Sequence, residues 1–568
     1  MNGMTSRARL KRNRVSVGVA AALGCWAASA SAMPLGAIPD WDINWDNTIS
    51  YNIGMRAQGI NPNIGNNPTF SESDYKFAHA GDIVTNRVSD LSEFDAVFQN
   101  KFGFRVSASF WKDFAYGGGV SNNPGMAYPG TPYSTLNSYA NNRYSSYTER
   151  YYQQGAELLD AFVFYNFNLG SAPSSIKVGR LTQYWGNALF FSGIAYGQNA
   201  IDGIKGAAVP GTQLKELTVP RAQVLFQTNI TPTVSLAAQY FAEYKPSMFP
   251  QGGTYLGTAG FLFQGPNLLD GQIPQGAPVQ PTNGFHSDYG LKATWSPTWL
   301  NGTMGFYYRN LTETNPWVLL GVNPATGATN YHLGYASDVK LYGFSLDKQI
   351  GPYSTGLDVS YRHNTALNSS TGPLPGDLSG QAGARGDVLN VIGNVMAGLT
   401  RTPLWDTGSA VVELGYTQKL KTTSNGALYN GVGNSLACPG GNKWDGCSTN
   451  SAVAIAVQFD PQWLQVYPGI DLDMPIFLEY GIWGNQATVE PSPGQGTLQY
   501  TIGVHALIQN KYNVTLQYNG YHAHAGGQTN FGLANGLPGG GPSYYAGGNS
   551  TYFYNDRGWV SLTFSAAF

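Results

Sequence analysis

Alternation of apolar and polar residues, sustained for longer than a soluble strand needs, restricts the fold of this chain more than any other feature. Ile43, Trp45, Ile49, Tyr51, Ile53, Met55 and Ala57 share one parity; Asn44, Asp46, Thr48, Ser50, Asn52 and Arg56 share the other. Phe102, Phe104, Val106, Ala108 and Phe110 alternate with Arg105, Ser107 and Ser109. Val234 to Tyr244 and Leu498 to Ile508 repeat the pattern, and Val560, Leu562, Phe564, Ala566 and Phe568 carry it to the last residue. A period of two marks a strand with one apolar face. Each segment runs about 10–14 residues, enough for a tilted strand to cross a bilayer. A soluble sandwich or propeller would show strands of about five residues, with turns every 8–12 or a fixed repeat. Neither pattern is present.

Composition narrows the choice further. Charged residues are 11% of the chain and aromatics 13%, yet mean hydropathy is only -0.21. Outside the extreme N-terminus no apolar run approaches the roughly twenty residues of a membrane helix. A soluble domain ordinarily carries more charge. A transmembrane barrel satisfies both facts, because its two strand faces average out. A soluble chain of 568 residues would also divide into several domains, and no linker is visible.

The connections are an independent test. Long loops are expected at 58–85, 115–155, 185–219, 246–286, 312–336, 364–385, 421–449 and 524–554. Short turns fall near Asn100-Lys101, at 169–174, at Ile230-Thr231-Pro232, near Pro297 and at Asn510-Lys511. Long loops on one side and short turns on the other are the outer-membrane pattern. The expected fold is therefore all-β, a single transmembrane antiparallel barrel of about 18 strands (range about 14–18) with both ends periplasmic. Pro461, Pro468 and Pro475 blur the strands over 450–496.

The first residues read as an address. Arg7, Arg9, Lys11, Arg12 and Arg14 precede an apolar stretch over 15–28, and Ala30-Ser31-Ala32 fits a cleavage site before Met33. The expected organisation is a signal peptide over 1–32 and a barrel over 33–568. Removing those five of the 31 basic residues leaves 26 against 33 acidic ones, a formal charge of -7. That argues against nucleic acid as a partner. Cys25 lies in the signal, where Ala22 stands at the position a lipoprotein signal fills with Leu. Cys438 and Cys447, nine apart in a Gly-rich loop, read as one disulfide; two free thiols are the alternative.

Several stretches are familiar together: G-D-I-V-T-N-R-V-S-D-L-S-E-F-D (81–95), V-G-R-L-T-Q-Y-W-G (178–186), Q-N-A-I-D (198–202), V-S-Y-R-H-N-T-A-L (359–367) and N-D-R-G-W-V (555–560). They resemble the proteobacterial outer-membrane family catalogued as domain of unknown function 1302. The resemblance spans most of the chain after the signal. It implies the outer membrane of a Gram-negative bacterium, with outer-membrane lipids around it. It also implies a periplasmic partner and an RND-type transporter, in settings of steroid, aromatic and other hydrophobic compounds. It supplies no catalytic residues, and no cofactor is expected. The C-terminal Phe568 resembles the signal read by the outer-membrane assembly machinery.

Polar strand residues should face the lumen. Arg56, Arg87, Glu93, Asp95, Arg105, Asp113, Arg180 and Arg362 have that parity or lie in the quoted motifs, as a structural charge ladder or as a constriction that orients a solute. The stretch 185–219 differs from the other long loops. It is apolar and rich in Gly and Ala, where a loop in water should be polar. It is expected to fold inward as a partial plug, or else to pack outside as a lid. In the inward reading Trp185, Phe190, Phe191 and Tyr196 line a hydrophobic site, and Asn199, Lys205, Lys215 and Glu216 are polar anchors. The seven His come with neither G-x-S-x-G nor H-E-x-x-H, so no enzyme is expected. His522 and His524 share a strand face, which is read as a wet strand end. The expected function is a channel for hydrophobic or amphipathic small molecules. The alternatives are a porin for small hydrophilic solutes and a structural or adhesion barrel.

Overall fold

In the computed structural model the alternating segments become one closed wall. The structure describes residues 38–568 apart from 68–71, 136–138, 258, 261, 264–267, 270–272, 277–287, 323–325, 371–381, 440, 527, 531–542 and 546–551. The expected signal peptide, Cys25 and His286 lie outside the described residues.

The strands are β1 (Trp41–Arg56), β2 (Ile83–Phe98), β3 (Phe102–Asp113), β4 (Gln154–Leu169), β5 (Ala172–Leu181) and β6 (Arg221–Thr231). They continue with β7 (Val234–Phe241), β8 (Tyr289–Trp295), β9 (Gly302–Leu311), β10 (Val339–Ile350), β11 (Tyr353–Ala366) and β12 (Arg385–Gly398). The last six are β13 (Thr407–Ser424), β14 (Ser451–Tyr467), β15 (Ile470–Asp473 and Ile476–Trp483), β16 (Leu498–Ile508), β17 (Tyr512–His522) and β18 (Trp559–Ala567). The sheet holds 19 ladder segments, of which the two parts of β15 are a single strand broken at Met474-Pro475. Eighteen antiparallel strands therefore follow one another in chain order. β18 closes on β1 through nine paired positions, from Thr48 opposite Ala567 to Arg56 opposite Trp559. Pro475 has no N–H to give the ladder, which is why the break falls there. The wall is kept whole around it: Met474 donates to the Pro461 carbonyl at 3.1 Å, and Gly503 donates to that of Pro475 at 3.0 Å.

Closure leaves no sheet edge, so the backbone is satisfied without water. The two faces are inverted relative to a soluble protein. Phe102, Phe104, Val106 and Phe110 of β3 are exposed on the outside, while Ser107 and Ser109 between them are buried. Asn52, Arg56 and Thr563 are likewise buried inside, and Met55 and Leu562 face out. An exposed apolar band around a polar interior is stable only in lipid. Short turns of a few residues cluster at the end that holds the start of β1 and the end of β18; the long connections all lie at the other. Among the described residues no helix is long and apolar enough to cross a membrane. The chain is a transmembrane β-barrel of the outer-membrane type. Its Cys438 and Cys447, in the loop between β13 and β14, are bonded.

Candidate functional site

The connection between β5 and β6 lies inside the wall. It holds two short helices, α1 (Gly203–Ala208) and α2 (Leu214–Leu217), and touches lumen-facing residues around the barrel. Two carboxylates hold its first part by the backbone. Asp358 of β11 accepts from the N–H of Asn187 at 2.9 Å and of Ala188 at 3.2 Å. Glu413 of β13 accepts from three consecutive N–H groups, Leu189 at 2.7 Å, Phe190 at 2.8 Å and Phe191 at 2.7 Å. Asn394 of β12 donates to the Asn187 carbonyl at 2.7 Å. Gly186 makes this approach feasible. Its φ is +95°, and an added Cβ would lie 2.4 Å from the Asp358 carboxylate.

The expected site residues separate by role. Trp185 is buried against Tyr307 of β9, and its backbone N–H donates to the Gln198 side chain, which donates onward to Gln239 of β7 at 2.9 Å. Tyr196 donates to Glu313, and the Arg362 guanidinium sits 3.9 Å over its ring. Arg309 of β9 donates to the carbonyls of Ile194 at 2.9 Å and Tyr196 at 2.7 Å. Asn199 donates to the Gln183 carbonyl at 2.9 Å. Lys205 is buried against Glu157 of β4 at 2.8 Å, with Asp202 at 3.7 Å. Lys215 pairs with Glu93 of β2, and Glu216 accepts from Ser109 of β3 at 2.9 Å. Phe190 meets Phe477 of β15 at 5.3 Å between ring centres, and Phe191 faces a hollow of only about 30 Å³.

A larger cavity, about 420 Å³, lies elsewhere on this segment, on the long-loop side. Ala195, Tyr196, Gly197 and Asn199, with Gly203, Gly206 and Ala207 of α1, form its floor. Met248, Phe249, Thr314, Pro491 and Tyr554 come from four other loops, and Gln499 from β16. No charged side chain lines it. Of the expected lining only Tyr196 borders it, together with Asn199; Trp185, Phe190 and Phe191 do not. The segment stands out in the sequence as apolar and rich in Gly and Ala; in the structure its aromatic side chains anchor it, and its glycines and alanines make the cavity floor. Two hollows of about 690 and 560 Å³ near Lys101 and Pro297 are open to solvent at the short-turn rim and enclose nothing.

The lumen charges, expected and additional, fall into two tiers. Near the loop end, seven arginines are buried: Arg56, Arg87, Arg221, Arg309, Arg362, Arg385 and Arg557. Each holds loop or inner-segment backbone or a carboxylate. Arg56 donates to the Phe77 carbonyl at 2.6 Å, Arg87 to that of Tyr151 at 3.0 Å, and Arg385 to that of Ser337 at 2.6 Å. Arg557 donates to the carbonyl of Gly257, Arg221 pairs with Asp288 at 2.6 Å, and Arg362 pairs with Glu490 at 3.1 Å. Asp113 accepts from Thr85 at 3.1 Å and from the Ala115 N–H at 2.8 Å. Lower down, Arg105 pairs with Glu93, with Asp160 at 3.6 Å and with Asp95 at 3.9 Å. Arg180 departs from the expectation. It shares its parity with Val178, opposite Ala222 and Ala161, and so lies on the outward face, where it pairs with Glu243 at 2.8 Å. Gly179 takes the lumen position beside it, opposite the buried Gln223.

Asp358, Glu413 and Arg309 escaped the sequence reading. The available signal was one charge at a lumen parity in an otherwise apolar strand, as in V-V-E-L-G.

The model of the family described as "Protein of unknown function (DUF1302)" matches residues 13–568. The chain belongs to this family. No curated protein matches it in sequence. Among solved structures it is similar to OpdK of Pseudomonas aeruginosa, crystallised with vanillate, at 11% identity and a TM-score of 0.41, over 93% of this chain and 98% of that one. It is also similar to OccAB4 of Acinetobacter baumannii (9%, TM-score 0.40, 94% and 100%). A BenF-like porin of Pseudomonas fluorescens Pf-5 is similar at 9% and a TM-score of 0.39, over 93% and 98%.

Proposed function

We propose that this family member is an outer-membrane channel for uncharged, amphipathic small molecules, with the 185–219 segment as its internal plug. The observation that carries the reading is the cavity of about 420 Å³ on that segment, walled by Met248, Phe249, Tyr196 and Tyr554 and by neutral polar groups alone. Such a lining suits a mostly apolar ligand fixed by a few hydrogen bonds. It disfavours an ion, whose charge would lose its water without gaining a partner. Of the nearby arginines, Arg309 donates to the carbonyls of Ile194 and Tyr196, and Arg221 and Arg362 are paired with Asp288 and Glu490. A periplasmic partner or RND-type transporter would meet the cargo at the short-turn end.

The test is equilibrium binding of a neutral polycyclic alcohol and of its carboxylated analogue to the purified protein in detergent. The neutral probe should bind and the carboxylate should bind at least about tenfold more weakly, since burying an unpaired charge costs more than 1.4 kcal/mol. Met248→Ser with Phe249→Ser should weaken the neutral probe by more than tenfold, at roughly 1.5–3 kcal/mol per buried apolar side chain. Equal binding of both probes, or tighter binding of the carboxylate, would favour a channel for charged solutes instead.

A further inference from the structure

The S-Y-R-H-N stretch of β11 serves two sides of the wall. Arg362 points inward to Glu490, whereas Tyr361 and His363 take the outward parity, opposite Tyr342 and Lys340 of β10. Asn364 has a φ of 62° and donates its N–H to Asp387 of β12 at 3.1 Å. The Asp387 side chain is 1% exposed and gathers this neighbourhood. It accepts from the Tyr361 hydroxyl at 2.8 Å, and faces His363 Nδ1 at 2.8 Å and Lys421 Nζ at 3.2 Å. Lys421 of β13 remains 66% exposed and His363 44%. Lys340 is exposed and has no ion-pair partner among the described residues. One buried carboxylate thus orients two nitrogen-bearing side chains, with a third beside them, on the outer surface of β10–β13.

Their depth is marked by aromatic residues. Tyr289, Tyr308, Tyr342 and Tyr361 form a continuous outward row across β8–β11, with ring centres 6.1, 5.3 and 6.3 Å apart. A row of this kind is the girdle at a membrane–water interface. Lys340 and His363 lie two residues beyond Tyr342 and Tyr361 toward the loops, about 6–7 Å along the strand. That is the level of lipid headgroups in the leaflet on the loop side. The cluster faces sideways into that leaflet, away from the lumen and the cavity.

We propose that Lys340, His363 and Lys421 form a binding site for the phosphate of a phosphorylated lipid in the loop-side leaflet, oriented by Asp387 and independent of transport. Lys421 and His363, both held against Asp387, and the exposed Lys340 opposite His363 offer nitrogen donors that can meet a phosphate as point charges. The sideways aspect at girdle depth favours a lipid headgroup over a free anion, which would approach from the water.

The test is native mass spectrometry of the full-length protein loaded with lipid A that carries its phosphates, or with the same lipid A dephosphorylated. The wild type should retain the phosphorylated form and lose the other. Lys340→Ala with Lys421→Ala should cut retention by about tenfold or more, at roughly fivefold per lysine near a charged surface. Lys340→Arg with Lys421→Arg should restore it, with heat-modifiable barrel unchanged throughout. Equal retention of the two lipids by the wild type overturns the proposal without recourse to any variant. So does full displacement by inorganic phosphate, which would mark a free-anion site.

Discussion

Glu413 binds three successive backbone N–H groups and Asp358 binds two, so the inner segment is docked mainly through its main chain. Hydrogen bonds to a charged acceptor contribute about 1.5–3 kcal/mol each, and more where water is excluded. Glu413→Gln keeps the shape, removes the charge and turns one acceptor into a donor that faces N–H groups. The expected outcome is amide exchange at 189–191 faster by at least about tenfold, from the loss of roughly 1.5 kcal/mol or more, with the barrel strands unchanged. Unchanged exchange at 189–191 would mean that side-chain packing, not the carboxylate, holds the segment. A second residue sets a pH dependence. Asp202 caps α1 by accepting from the Lys205 N–H at 2.9 Å, and burial pushes its carboxyl up to about 6, against the opposing pull of Lys205 and Arg87 and with some help from Glu157. A raised carboxyl binds its proton more tightly in the folded state. Its contribution is therefore complete below the ordinary carboxylate range and is lost as pH rises through about 6. Exchange of the Gly203–Ala208 amides, corrected for intrinsic rate, should quicken between pH 5 and pH 7, and Asp202→Asn should flatten the profile. A profile that slows with pH, or that survives the substitution, contradicts this assignment.

Among the elements, the terminal strand shows what alternation can and cannot predict. Phe568 exchanges backbone hydrogen bonds with Asn47 at 2.9 and 3.1 Å, just past the last paired position of the closing seam, and Lys511 Nζ lies 4.5 Å from its ring centre. Phe568→Asp should lower the yield of heat-modifiable barrel in the membrane, because the seam loses its apolar end; normal yield would rule that role out. The Cys438–Cys447 bond closes a short loop and should stabilise by about 2–3 kcal/mol at most. Free thiols that react with a maleimide before reduction would contradict it, and reduction should leave the strand ladder intact. Strands were legible because parity is local: a strand that separates lipid from lumen repeats every two residues. The proline-rich stretch 450–496 was not. There β14 runs through Pro461, and β15 resumes after Pro475, because neighbouring carbonyls and N–H groups re-pair around each break. The expected loop at 421–449 began early because β13 extends to Ser424, beyond the girdle, where its residues turn polar. Arg180 misled because its motif suggested the lumen while its parity pointed outward.

At the scale of the molecule, fold and site differ in how far a sequence can reveal them. The closed wall and the side of each turn follow from local patterns; the composition of 185–219 sets that loop apart but leaves plug and lid both open. The carboxylate contacts that hold the first part of the inner segment join residues 170 to 224 positions apart, such as Ala188 with Asp358 and Leu189 with Glu413. No local pattern says which lumen carboxylate a given loop will reach. The cavity was harder still, since its walls come from several loops and its floor from small residues. The proposed function requires the 185–219 segment to occupy the lumen and limit free passage through it. Single-channel conductance in planar bilayers, compared between the native protein and a variant lacking 187–215, tests this most directly. The expected result is a low native conductance that rises several-fold in the variant, at equal levels of folded barrel. Equal conductance for the two proteins would contradict it.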